Sequence, residues 1–351
     1  MSDNQGKAKR GRGCGFGCAL LLGLLIGAGV LFAALLAGGN KILNLPQDKA
    51  MTGLFSKKCK CGDVGEDEAP FMVERWSYGS GEVKVVRVPL TGMIVLGESA
   101  WYHMGNANTV LRSIRRATHD PEVMGLIMEI NSGGGAITDS DIIYKALLDF
   151  KAKQEGRVVV TIMGDVAASG AYYVALASDY ILAHPTTVTG SIGVILQSYN
   201  IKDLAQKLGI HDVTIKSGEN KDMLNPFRDV KPEQTEMLQK LISAMHDRFV
   251  TLVAENRKLE KSAVAPLADG RVFTADEAVR CKLIDGIGYN EDARNKIAEL
   301  LETDAVKVFR YDEQVTLMDF FAARPGIGIR FDLEKLLRES AGGRLMYRWE
   351  W

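Results

Sequence analysis

Two kinds of apolar pattern alternate along most of the chain. Short continuous runs come first: Val83–Val88 (VKVVRV), Met93–Leu96 (MIVL), Val123–Ile130 (VMGLIMEI), Val158–Met163 (VVVTIM) and Tyr180–Ala183 (YILA). Runs of four to eight residues without polar alternation predict strands buried on both faces. Between them lie stretches with three-to-four-residue apolar spacing. Asn108–Ala117 is one. Asp139–Lys153 is another and is expected to bury Ile142, Ile143, Leu147 and Phe150 on one side. A long helix is predicted over 232–259, with Pro232 in its first turn and Leu238, Leu241, Ile242, Met245, Phe249 and Leu252 along one face. Strands alternating with helices imply βαβ units and a largely parallel sheet, an α/β fold.

The amino terminus departs from this pattern. No charged side chain occurs from Gly13 to Asn40, and Ala19–Ala37 reads ALLLGLLIGAGVLFAALLA. A helix of ~20 apolar residues spans a bilayer core, and this run exceeds the 7–15 residues of a signal-peptide core. The expectation is a retained transmembrane helix over 17–39, with a cytoplasmic basic tail at 1–16 and the rest on the extracytoplasmic side. Lys7, Lys9, Arg10 and Arg12 face only Asp3 in the first 40 residues, so the other 311 carry a net −4 although the whole chain sums to −1. That balance excludes a generally basic nucleic-acid binder. Residues 40–82, including KKCKCGDVGEDEAP, are expected to be a tether. Cys59 and Cys61 supply too few ligands for a zinc site of their own, and Cys281 reads as a small core residue.

Four polar or glycine-rich segments follow the predicted strands. Asn131-Ser132-Gly133-Gly134-Gly135 leaves the strand at 123–130, where glycines allow a sharp turn that exposes N–H groups. Gly164–Tyr173 (GDVAASGAYY) places Ser169 among small residues at a strand-to-helix turn, either as a reactive hydroxyl or as a helix N-cap. Thr189–Val194 (TGSIGV) enters a turn. Lys216–Asp222 (KSGENKD), before Asn225-Pro226-Phe227-Arg228, reads by itself as a solvated loop.

In this order and spacing the four segments resemble the signal peptide peptidase A (SppA) family of membrane-bound serine–lysine peptidases, in its short single-domain form. The resemblance runs from about residue 85 to 310 and includes Ala268–Thr274 (ADGRVFT). It implies the fold of the Clp protease and crotonase families, built of repeated β-β-α units. The peptidase domain would be 83–312, with a carboxyl-terminal extension at 313–351. The resemblance assigns Ser169 as nucleophile, Lys221 as general base and Ser191 as the hydroxyl orienting that lysine. It assigns Gly134 as the oxyanion donor, with Gly170 as a second. Relatives usually read N-S-P-G-G, and here Gly133 replaces the proline, which loosens the loop. The resemblance further implies a homo-oligomer in which serine and lysine can come from neighbouring subunits. Substrates would be remnant signal peptides and other membrane-released peptides. No cofactor, metal or nucleic acid is implied.

The chemistry agrees with the assignment. A serine hydroxyl needs a base beside it. His103, His119, His184, His211 and His246 all lie outside the four segments. Lysine can replace histidine only when uncharged, which requires its reference pKa of ~10.4 to fall by several units. Lys216 is the competing lysine. Two readings of other classes stay open: an acyl-CoA enzyme with a backbone oxyanion hole, and a catalytically silent oligomeric membrane scaffold.

Overall fold

The computed structural model describes residues 72–97, 105–313 and 346–348. Its strands are β1 (Met72–Tyr78), β2 (Val83–Thr91), β3 (Val123–Ser132), β4 (Gly134–Ala136), β5 (Val158–Ala168), β6 (Tyr180–Ala183), β7 (Val188–Gly190), β8 (Val272–Thr274), β9 (Gly286–Ile287), β10 (Val306–Glu313) and β11 (Met346–Arg348). The helices are α1 (Ala107–His119), α2 (Ile137–Lys153), α3 (Gly170–Ala175), α4 (Lys202–Lys207), α5 (Pro232–Arg257), α6 (Lys261–Val264), α7 (Ala275–Arg280) and α8 (Asn290–Leu300).

The main sheet runs β1-β10-β2-β3-β5-β6-β9. From β10 to β9 every neighbouring pair is parallel, and β1 closes one edge antiparallel to β10. Parallel strands need crossover connections, and helices fill both faces of the sheet as a result. Successive residues of one strand accordingly enter two different cores. Val86, Val88, Leu126, Met128 and Val159 join the large cluster with Ile114, Phe150 and Phe249. Val85, Ile127 and Val160 face the other way, onto Ala293, Ile297 and Ala298 of α8. At Gly125 in β3 a Cβ would lie 2.7 Å from Ile297 Cδ1, so glycine is what lets α8 approach so closely.

The predicted strands at 123–130, 158–163 and 180–183 all fall within β3, β5 and β6. Three expectations are corrected. Within the stretch read as a tether, Met72–Tyr78 is a strand paired antiparallel with β10, with a register shift between Trp76 and Tyr78; Arg75 and Trp76 are exposed on it, as an edge strand allows. Residues 93–96 hold one isolated bridge, Ile94 to Gly135, instead of a strand. In α2 the buried side holds Ile143, Tyr144, Leu147 and Phe150, while Ile142 is 37% exposed; at about 100° per residue the stripe centred on 143, 147 and 150 leaves position 142 at its border.

Helix α5 changes character along its length. Its second half buries Phe249, Leu252 and Val253, with the Phe249 ring tilted against those of Tyr172 and Tyr173 of α3 at 6.5 and 5.1 Å. Its first half carries apolar side chains that no described residue covers, Met237 and Leu241 being 48% and 41% exposed. Among the described residues no helix is long and apolar enough to cross a membrane. The span expected at 17–39, Cys59 and Cys61 all lie outside the described residues.

Candidate active site

Strands β3 and β5 are parallel neighbours and end together, Ser132 pairing with Ala167. Beyond the carboxyl ends of parallel strands the chain must turn away, and this is where α/β sheets expose ligand-binding groups. After β3 the chain enters the glycines. Gly134 adopts φ +101°, a region glycine occupies without a Cβ penalty. Gly135 cannot carry a side chain for a different reason: its Cβ would sit 2.1 Å from Ile94 O. Ile94 donates its N–H to Gly134 O at 3.0 Å and accepts from Ala136 N at 2.9 Å, which stitches β4 to the segment after β2. Helix α2, beginning at Ile137, holds the turn from behind.

After β5 the chain reaches Ser169, which is 1% exposed with φ +57° and ψ −121°. A non-glycine residue in this region carries strain of order 1–3 kcal/mol, and such strain concentrates at reactive sites. The residue stands at the N-cap position of α3, yet its side chain makes no capping hydrogen bond. The plain-cap reading of Ser169 is therefore wrong: the hydroxyl is not spent on the helix. Tethers on both sides hold the conformation. Ser169 N donates to Gly190 O at 2.8 Å, and Tyr173 N donates to Ser169 O at 2.9 Å. Gly170 N–H, next in line, opens the helix and has no acceptor within it.

Strand β7 brings in the third segment. It pairs with β5 so that Ala168 faces Gly190, and Ser169 and Ser191 therefore leave adjacent strands at the same level. Ser191 is 6% exposed, has φ +49°, and donates its N–H to Arg271 O at 2.8 Å. Thr189 Oγ1 donates to Ala167 O at 2.6 Å and clamps the two strands.

Gly134, Ser169, Gly170 and Ser191 thus share one corner of the sheet. Lys221 does not join them within one chain. It is exposed on a 3₁₀ turn, Glu219–Asp222, that contains no buried residue. No hydrogen bond links its side chain to Ser169 or Ser191 among the described residues. The competing Lys216 is committed elsewhere: its Nζ donates to Glu219 O at 3.0 Å and to Asp222 Oδ1 at 2.5 Å. That donated proton, together with the charge of Lys216 and Arg228, holds the Asp222 carboxyl below the usual carboxylate range. No histidine side chain is hydrogen-bonded to Ser169 among the described residues. His246 Nε2 meets Ala268 O at 2.8 Å, and the His184 ring lies 5.3 Å from that of Tyr289.

Three further features escape a reading by motif. Ser132 is 3% exposed; its Oγ donates to Gly92 O at 2.5 Å and accepts the Gly134 N–H at 3.1 Å. Asn131 bridges the two strand ends, donating Nδ2 to Asp165 and accepting the Val166 N–H at 3.1 Å. Strand β11, from the carboxyl-terminal extension, pairs antiparallel with β4, Arg348 opposite Gly134 and Tyr347 opposite Gly135.

The geometry is that of a buried, strained serine beside a glycine-rich turn. The model of peptidase family S49 matches residues 151–304. An Enterococcus faecium protein that carries the name signal peptide peptidase SppA is 35% identical over 246 residues, 69% of this chain and 71% of that one. The chain belongs to the SppA family of serine peptidases. A Synechocystis protein named as a protease is 36% identical over 225 residues, covering 64% of this chain and 77% of its own length. The chloroplastic serine protease SPPA of Arabidopsis thaliana is 30% identical over 222 residues, which are 62% of this SppA-family chain and 32% of the plant protein. Among solved structures, the ClpP1 N165D mutant from Listeria monocytogenes aligns with a TM-score of 0.37 at 16% identity, over 60% of this chain and 94% of that one.

Proposed function

We propose that this SppA-family chain is a membrane-anchored endopeptidase in which Ser169 attacks the peptide carbonyl and Lys221 of a neighbouring subunit is the general base. The observation that carries the reading is the Ser169 backbone. A buried serine strained to φ +57°, with its hydroxyl released from capping, is preorganised to react. Lys221 would take the serine proton as an uncharged amine and return it to the leaving nitrogen, and water would then hydrolyse the acyl-enzyme. Ser191, leaving β7 level with Ser169, would accept or donate a hydrogen bond to the amine and orient it without adding charge. Gly170 N–H would donate to the oxyanion. The Gly134 N–H would do so on release from Ser132 Oγ, so loop movement accompanies substrate binding.

A second copy as the source of the lysine is supported by the surface around it. Tyr199, Leu208, Val213 and Ile215, in the segment leading to Lys221, are 72%, 66%, 86% and 98% exposed, and Met237 and Leu241 on α5 are 48% and 41% exposed. Uncovered apolar side chains in this number mark an interface. A homo-oligomer would bury them and bring Lys221 to a neighbouring Ser169 in surroundings poor in water, which favours the uncharged amine. The pairing of β11 with β4 also indicates how a substrate lies. An extended peptide would take the place of β11 on the β4 edge, where main-chain bonds provide affinity and neighbouring pockets provide selectivity. Remnant signal peptides and other membrane-released peptides fit that mode. The apolar span at 17–39 would anchor the chain in the bacterial cytoplasmic membrane with the site on the extracytoplasmic side.

A serine-directed fluorophosphonate probe tests the reading. Labelling of the oligomer that disappears in Ser169→Ala, with peptide hydrolysis lost in Lys221→Arg because guanidinium keeps its proton, is the expected result. No labelling of the intact oligomer would favour a silent scaffold instead.

A further inference from the structure

The turn that bears Lys221 has none of the usual means of holding a side chain in place. It is four residues long, none of them buried, so packing does not fix it. Polar groups converge on it instead. Lys216 reaches forward along the chain and grips both ends of the turn, the Glu219 carbonyl at 3.0 Å and the Asp222 carboxylate at 2.5 Å. Arg228 Nη1 binds the other oxygen of Asp222 at 3.0 Å, and its Nε reaches Asp212 at 2.8 Å. From below, Gln234 of α5, 6% exposed, aims its amide at Glu219 O (3.4 Å) and Asn220 Oδ1 (3.2 Å). The two Lys216 bonds stand in solvent, so the turn is held by several polar bonds acting together and by no single buried one. Lys221, in the middle, is left pointing outward with no carboxylate partner among the described residues.

We infer that Lys216 is a positioning residue: by bridging Glu219 O and Asp222 it closes the 216–222 loop into a rigid mount that presents Lys221 to the neighbouring subunit's serine. This rests on the Ser169–Lys221 reading and gives the second lysine of the segment a task of its own. A flexible mount would spread the amine over several ångströms, and a misplacement of ~1 Å can cost ~10²-fold in rate. The requirement is for a cation that can donate to a carboxylate and a carbonyl together. Arginine meets it. A general base must instead shed a proton, which arginine does not do.

The test compares Lys216→Met, Lys216→Arg and Lys221→Arg in the full-length oligomer, with particle size checked by sedimentation. In Lys216→Met, kcat is expected to fall ~10–100-fold with KM and melting temperature unchanged, because the loop lies outside the core. Lys216→Arg is expected to recover most of that loss, and Lys221→Arg to be inactive. Wild-type kcat in Lys216→Met overturns the inference. So does equal loss in Lys216→Met and Lys216→Arg; combined with activity in Lys221→Arg, that result makes Lys216 the base. Activity in Lys221→Arg alongside arginine rescue at 216 would remove Lys221 from the chemistry and would equally end the mounting role.

Discussion

Replacing Gly135 by alanine probes the glycine turn where it is least able to yield. The new Cβ would meet Ile94 O at 2.1 Å and Ile94 C and N at 2.6 Å. All three are backbone atoms, so no side-chain rotation relieves the contact. Either β4 or the segment after β2 must move by about 1 Å to restore ordinary van der Waals spacing. That movement strains the two bonds on either side, Ile94 N to Gly134 O and Ala136 N to Ile94 O. At about 0.5–1.5 kcal/mol net for each hydrogen bond, the stability cost is about 1–3 kcal/mol. For a unit of this size each kcal/mol lowers the melting temperature by roughly 2–4 °C. The catalytic cost is larger. The same shift moves the glycine N–H groups relative to Ser169, and ~1 Å at a reacting centre is worth ~10²-fold. Labelling rate with the fluorophosphonate probe and thermal unfolding, measured on one preparation, check both. A folded Gly135→Ala protein that labels at the wild-type rate would refute the claim that this turn is fixed by its contact with Ile94.

Two other expectations follow from particular contacts. Because β11 occupies the β4 edge, a chain ending at Gly343 should show a lower KM for an extended peptide at unchanged kcat; equal KM values would mean that substrate does not add to that edge. The Asp269 carboxyl, two residues before the Arg271 whose carbonyl accepts the Ser191 N–H, is held at about 2 by its hydrogen bonds from Arg271. A depressed carboxylate contributes stability that is complete above its unfolded pKa of about 3.9 and is lost as pH falls through the folded value. Carbon-detected titration should therefore find Asp269 still ionised at pH ~3.5, and half-protonation near 3.9 would contradict the pairing.

The catalytic corner was legible because its signals are local. A buried apolar run followed by glycines, or by a lone serine among alanines, marks a strand end whatever surrounds it, and parallel pairing then brings Asn131–Gly135, Ser169 and Ser191 to one level. Part of what escaped depends on contacts distant in sequence. The pairing of Met72–Tyr78 with β10 joins residues more than 200 positions apart, and MVERWSY carries no regular apolar alternation to mark it. Strand β11 has three residues, too few for any period. The Ser132–Gly134 bond and the Lys216 bridge are side-chain geometries that no spacing encodes. Lys221 illustrates the opposite limit. Its segment reads as a solvated loop, and in a single chain that is how it stands; the role proposed for it requires a surface that a second copy would complete.

Subunit complementation addresses that point directly. Ser169→Ala and Lys221→Ala subunits, each inactive alone, are mixed, dissociated and reassembled, and peptide hydrolysis is measured. If serine and lysine meet across a head-to-tail interface, about a quarter of the sites in a random mixture pair an intact Ser169 with an intact Lys221, and activity returns to that fraction. Mixed particles that form and remain inactive would contradict the shared site.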